Sequence, residues 1–177
     1  HESTDFSRSG FPNHLFQNIS ISGKNVSNVI KNSKISAVTL TGSTPAGRSV
    51  AETSGKELKK TVLELGGSDP YVILDDADIE KSVDSCINGR ILNTGQSCIS
   101  AKRLIVVDSL HDQFLSSLEQ KLSKKIMGDP KDDVDIGPMV SIEARKEVHQ
   151  QVLKSIEDGA SLIIGGEIPK SPGAFYP

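Results

Sequence analysis

Two side chains in this sequence have the right types to share a reaction at an electrophilic carbon. Cys98 stands in "NTGQSCISAKR", a glycine-containing segment that follows a helical stretch. Glu64 lies near the end of the run "KTVLEL", just before Leu65 and the paired Gly66 and Gly67. A cysteine nucleophile needs a positioned thiol, surroundings that favour thiolate, and nearby N–H donors for the oxyanion it creates. A carboxylate one strand–helix–loop excursion away can meet it as the base for a water molecule. The competing readings are structural: Cys98 as an ordinary small residue, and Glu64 as a surface charge at a strand end.

A third feature is "TLTGSTPAGRSV", where Gly42 and Gly47 are followed by Arg48 and Ser49. The spacing is that of a P-loop, with arginine in place of the lysine that reaches the phosphates. A guanidinium is larger and planar, so it is a poor substitute for that compact ammonium. On motif alone a glycine turn between strand and helix ranks first, a dinucleotide or phosphate site second, and a P-loop third. "YVILDD", with Asp75 after an apolar run, is the P-loop reading's other support. Any phosphate would meet the N–H groups and dipole of the helix start, with Ser43 and Thr44 adding hydroxyls.

The remaining reactive side chains read as structural. Cys86 shares a helix face with Val83, Ile87 and Arg90, as a core residue would. His14, His111 and His149 have no partners at metal spacing, so no metal site is expected. Asp75, Asp76 and Asp78 read as helix-start acids. Asp129, Asp132, Asp133 and Asp135 lack the glycine and terminal glutamate of a calcium loop.

Strands and helices must alternate to position these groups. "SGKNVSNVIKN" reads as a short helix with Val26, Val29 and Ile30 inward. "ISAVTLTG" is a compact β-rich run whose centre should be a buried strand, a helix begins near Pro45, and "KTVLEL" is a second strand. "PYVILDD" and "KRLIVVD" are strands around a helix started by Asp76 or Asp78. "SLHDQFLSSLEQKLSKKI" is amphipathic, with Leu110, Phe114, Leu118 and Leu122 on one face. A helix from "SIEARKEV" and a strand "SLIIGG" follow. The alternation predicts an α/β fold with mostly parallel sheets and flanking helices.

The 177 residues carry a net charge of −3 and 36% hydrophobic content. No basic block points to nucleic acid, and no apolar run is long enough for a membrane span. Two cysteines without C-x-x-C spacing fit a reducing, cytoplasmic compartment. The sequons at Asn18 and Asn25 therefore read as chance matches. No signal peptide pattern opens the chain, and its first residue, His1, is not a natural start.

The ordered succession "TGSTPAG", "LELGGSDP", "DDADIEKSV", "NTGQSC", "MGDP", "IGPM" and "GGE" resembles the aldehyde dehydrogenase superfamily. Its wording is most similar to the bacterial succinate-semialdehyde dehydrogenase branch, from about Gly10 to Pro177. The resemblance implies that Cys98 attacks an aldehyde carbonyl, with its own N–H helping to hold the oxyanion. Hydride passes to NAD or NADP, and Glu64 activates the water that hydrolyses the resulting thioester. Gly42 and Ser43 would lie by the cofactor pyrophosphate, Leu65 and Gly66 by the nicotinamide, and Arg48 would face solvent.

The resemblance also implies a fragment spanning parts of two domains. Residues 1–66 would be the C-terminal part of the NAD(P)-binding Rossmann-like domain, and 67–177 the N-terminal part of the catalytic domain. The family's oxyanion asparagine and ribose-binding lysine would precede His1, and its ribose-binding glutamate would follow Pro177. This segment alone is then expected to turn over little, and its full-length parent to be a homo-oligomer. Leu92 stands where some relatives grip a substrate carboxylate with arginine, while Arg90 points elsewhere. Ser100 replaces a second cysteine, so no local disulfide forms with Cys98. The surviving alternatives are a P-loop-like NTPase and a catalytically dead fragment serving as an interaction module.

Overall fold

A computed structural model describes residues 9–12 and 14–177. The chain divides into two compact units, His1–Gly66 and Gly67–Pro177. The membrane expectation has one structural counterpart: among the described residues no helix is long and apolar enough to cross a membrane.

In the first unit a short 3-10 turn leads into α1 (Val26–Lys31), then β1 (Ala37–Gly42), α2 (Thr44–Lys56) and β2 (Lys60–Leu65). β1 and β2 pair in parallel, from Ala37 beside Lys60 to Gly42 beside Leu65. Parallel neighbours need a crossover, and α2 supplies it. Ser43 caps α2 by accepting the Ala46 N–H at 3.3 Å, and Pro45 sits in the first turn, where a missing N–H costs nothing. Strand alternation gives β1 and β2 one half-buried face, with Val38, Leu40, Thr61, Leu63 and Leu65. Thr39, Thr41, Val62 and Glu64 lie on the opposite, exposed face. Lys59 donates to the carbonyls of Ile30 and Asn32, placing a cation at the C-terminal end of α1. Of the three residues expected to face inward from α1, Ile30 is buried but Val29 is 43% exposed. With only six residues, α1 has one turn and a half and cannot bury both faces.

The second unit contains β3 (Pro70–Ile73), α3 (Ile79–Ile91), β4 (Arg103–Val106), α4 (Asp108–Leu122) and α5 (Ile142–Glu157). β3 and β4 again run parallel, with α3 as the crossover. Asp78, rather than Asp76, caps α3 and accepts the Lys81 N–H at 3.1 Å. The core joins Ile73, Val83, Cys86, Ile87 and Phe114, with Leu110, Leu118 and Leu122 packed against it. The apolar stripe of α4 therefore faces α3 and the sheet, as its spacing predicts. Cys86 is a core residue, and burial pushes its thiol pKa up. Lys121 bridges α4 to α3 through Glu80 at 2.8 Å and Asp84 at 2.6 Å. Phe114 is only 3% exposed. Phe114→Ala is therefore expected to cost about 3–5 kcal/mol in denaturant unfolding, through lost burial and a residual cavity.

After α4 the chain folds back on itself. Met127 and Ile136 form an isolated parallel bridge. Asp135 accepts the Ile126 N–H at 2.9 Å and pairs with Lys125 at 2.7 Å. The Ile126 amide, and then the Lys125 ammonium, hold the Asp135 carboxyl below its ordinary range. A depressed folded pKa contributes stability above the unfolded carboxylate range, which is lost as pH falls through the folded value. The Tm difference between the native chain and Asp135→Asn should thus be widest near neutral pH and close toward acid.

One expected element is absent. "SLIIGG" is not a strand, because no strand among the described residues pairs with it. Leu162 and Ile164 instead line a cavity of about 550 Å³ with Val148, Val152 and Tyr176. Gly165 and Gly166, at φ 69° and 79°, turn the chain in a way strand residues cannot. Tyr176 closes this region by donating to the Gly166 carbonyl at 3.1 Å, and His149 Nδ1 lies 3.0 Å from its oxygen.

Candidate active site

In the first unit the parallel register brings the candidate cofactor residues to one end of the sheet. Gly42 and Leu65 are partners at the C-terminal ends of β1 and β2, and Thr41 pairs with Glu64. Ligands of parallel α/β sheets bind outside these carboxyl ends. Ser43 and Thr44 are exposed at the start of α2, whose 13 residues aim a positive dipole end outward. Pro45 has no N–H, Ala46 donates to the Ser43 hydroxyl, and Gly47 donates to the Ser43 carbonyl at 2.9 Å. Among the described residues no partner is seen for the Thr44 amide or hydroxyl, which leaves both as donors. Among the described residues nothing lies within 4 Å of where a Gly66 side chain would begin, so its backbone is open to a flat ring. This donor set and bare backbone fit a dinucleotide's pyrophosphate and an adjacent ring.

Gly47 has a packing role that the motif reading missed. A Cβ there would begin 2.6 Å from Leu65 Cδ2, so α2 crosses β2 closely only because residue 47 is glycine. The Leu65 side chain is thereby turned onto α2, and its backbone is what it can offer a ligand. Arg48 is exposed, as expected. Glu64 alternates to the opposite face, where its carboxylate is exposed.

In the second unit Cys98 carries a free, exposed thiol. The chain reaches it through three successive left-handed residues: Asn93 at φ 50°, Thr94 at 57° and Gly95 at 72°. Asparagine and glycine tolerate this region, but a β-branched threonine there costs roughly 1–3 kcal/mol. Several ties hold the loop. Arg90 Nη1 lies 3.4 Å from the Gly95 carbonyl, and the Ala101 N–H donates to Gly89 at 3.1 Å. Lys102 donates to the carbonyls of Ser97 at 3.3 Å and Cys98 at 3.1 Å. The Thr94 hydroxyl accepts the Gly137 N–H at 3.1 Å, and the Gln96 side chain accepts the Val140 N–H at 2.8 Å. The motifs containing these residues were visible in sequence, but their contacts were not.

Leu92 is 51% exposed and offers no charge. Arg90 instead reaches the Gly95 carbonyl of the Cys98 loop. Ser100 is fully buried, and among the described residues its hydroxyl has no partner. Among the described residues no group of three or more His, Cys, Asp or Glu could hold a metal ion.

A parallel α/β framework, a helix start beside bare glycine backbone and an exposed cysteine on a strained loop together define a class. The chain belongs to the aldehyde dehydrogenase family, whose model matches residues 4–177. It is 44% identical over 171 residues to the NADP(+) succinate-semialdehyde dehydrogenase of Deinococcus radiodurans, covering 96% of this chain and 36% of that protein. The corresponding protein of Mycobacterium leprae is 42% identical, with 96% and 37% covered. A crystal structure of succinic semialdehyde dehydrogenase from Streptococcus pyogenes, in complex with NADP+ as the cofactor, matches at a TM-score of 0.93. It is 38% identical, with 98% of this chain and 38% of that one covered. The expected fold class therefore holds, and family membership sets aside the P-loop NTPase. The chain spans a little over a third of the length of these curated relatives.

Proposed function

We propose that this chain carries the nucleophile, the base and part of the cofactor site of an NADP-dependent aldehyde dehydrogenase acting on succinate semialdehyde. The observation that carries this reading is the free, exposed thiol of Cys98 in its tied loop. Residues 1–66 would form the end of the cofactor-binding domain, and 67–177 the beginning of the catalytic domain. The names of the relatives support the substrate and cofactor. By itself the 177-residue segment would turn over little, since it spans 36% of the first relative's length.

The Cys98 sulfur, having lost its proton, would form a bond to the aldehyde carbon. The Cys98 N–H would steady the oxyanion of this thiohemiacetal. A bound nicotinamide supplies the acceptor for the aldehyde hydrogen. Glu64 would then take a proton from the water that attacks the Cys98 thioester, and cleavage of the C–S bond would release the acid and the thiolate. Gly42, Ser43 and Thr44 would hold the pyrophosphate, while the backbone of Leu65 and Gly66 would face the nicotinamide. Leu92 gives the distal carboxylate no cation, so its recognition would fall to other residues.

The test is nicotinamide reduction by the longest natural form of the chain, given succinate semialdehyde with NADP or NAD. Reduction of NADP is expected. Reduction of NAD alone would correct the cofactor, and no reduction with this or simpler aldehydes by a folded protein would contradict the reading.

A further inference from the structure

Thr94 and Gln96 do more than fill the turn before Cys98. Each accepts a backbone N–H from one remote segment: Gly137 at 3.1 Å for Thr94, and Val140 at 2.8 Å for Gln96. That segment is itself pinned on both sides. The Gly128 N–H donates to the Ile136 carbonyl at 3.0 Å, and the Met139 N–H to the Ala174 carbonyl at 3.0 Å. Residues 137–140 thus form a braced platform on which the nucleophile loop is laid at two points. A side chain reached through a strained left-handed turn stays in place only where its surroundings over-determine the strain. The Thr94 hydroxyl supplies such a constraint at the residue least suited to its backbone conformation.

We infer that Thr94 and Gln96 are positioning residues, forming a two-point clamp that holds Cys98 in its reactive geometry. The inference rests on Cys98 being the nucleophile. Neither side chain takes part in bond making. Their effect passes through backbone placement, because the described contacts fix the Cys98 loop by its carbonyls and neighbours and leave the thiol unengaged. A small displacement of a reacting atom lowers the rate without weakening substrate binding to the same extent. The clamp therefore acts on kcat more than on KM.

The test compares Thr94→Val, Thr94→Ser, Gln96→Leu and Gln96→Glu in the longest natural form of the chain. Hydrogen exchange at the Gly137 and Val140 amides reads the clamp, and kcat and KM read its effect. Thr94→Val keeps the branched shape but loses the acceptor. It should speed Gly137 exchange and lower kcat about tenfold each, the scale of one lost hydrogen bond, with KM within about twofold. Gln96→Leu should do the same through Val140. Its side chain is exposed, so it remains a test if the Thr94 variant fails to fold. Thr94→Ser and Gln96→Glu keep an acceptor and should restore both readouts. Native kcat in both Thr94→Val and Gln96→Leu would overturn the inference, as would a Thr94→Ser loss equal to that of Thr94→Val. Undiminished turnover by Cys98→Ser would sink the catalytic reading itself, and with it any catalytic use of the clamp. The exchange rates distinguish that failure from the clamp's own.

Discussion

Cys98→Ser is expected to lower kcat for aldehyde oxidation by at least about a thousand-fold, or about 4 kcal/mol of barrier, in the longest natural form of the chain. The substitution exchanges a polarisable sulfur for a hydroxyl, a far weaker nucleophile unless a base activates it. It should leave the fold alone. The thiol is exposed, and the ties to this residue run to its carbonyl, where Lys102 donates at 3.1 Å. An unchanged Tm beside a collapsed kcat is therefore the predicted pair of results. Cys86 provides an internal contrast, since it is 2% exposed and burial raises its thiol pKa. Brief alkylation of the native chain should label Cys98 and spare Cys86, and should abolish turnover in proportion to the labelling of Cys98.

Glu64→Gln is expected to separate the two halves of the reaction. If Glu64 activates water only for thioester hydrolysis, the first turnover survives and the later ones fail. Steady-state kcat should fall by about a hundred- to ten-thousand-fold, the usual contribution of a positioned base. A burst of reduced nicotinamide equal to the enzyme concentration should remain. Loss of the burst together with the steady state would assign Glu64 to the first step instead. The substitution keeps size and shape at an exposed strand end, so a folding defect is not expected to confuse the result.

What could be read from the sequence was what local pattern controls. Compact β-rich runs marked β1 and β2, although β1 is half-buried on one face rather than buried at its centre. The four-residue spacing of Leu110, Phe114, Leu118 and Leu122 marked the buried face of α4. The acid cap of α3 was legible too, because Asp78 bonds to an amide only three residues on, whereas the Ser43 hydroxyl was read as a phosphate donor and its capping of α2 was missed. "SLIIGG" failed as a strand for the complementary reason. A strand is made by a partner elsewhere in the chain, and an apolar triplet does not reveal whether one exists. The candidate nucleophile could be picked out by residue type and motif. Its supports could not, since the partners of Thr94 and Gln96 lie 43 and 44 positions away. The left-handed Thr94 was also invisible, because residue type argues against that conformation and only tertiary contacts impose it.

The central claim, that Cys98 carries the acyl group which Glu64 helps water to remove, is tested most directly by trapping that group. The longest natural form carrying Glu64→Gln would be mixed with succinate semialdehyde and NADP, quenched in acid, digested and weighed by mass spectrometry. The account predicts one acyl adduct on the peptide containing Cys98, absent when the nicotinamide is left out and absent from the Cys98→Ser protein. Turnover by the native enzyme with no adduct at Cys98 in this variant, or an adduct on another residue, would contradict it.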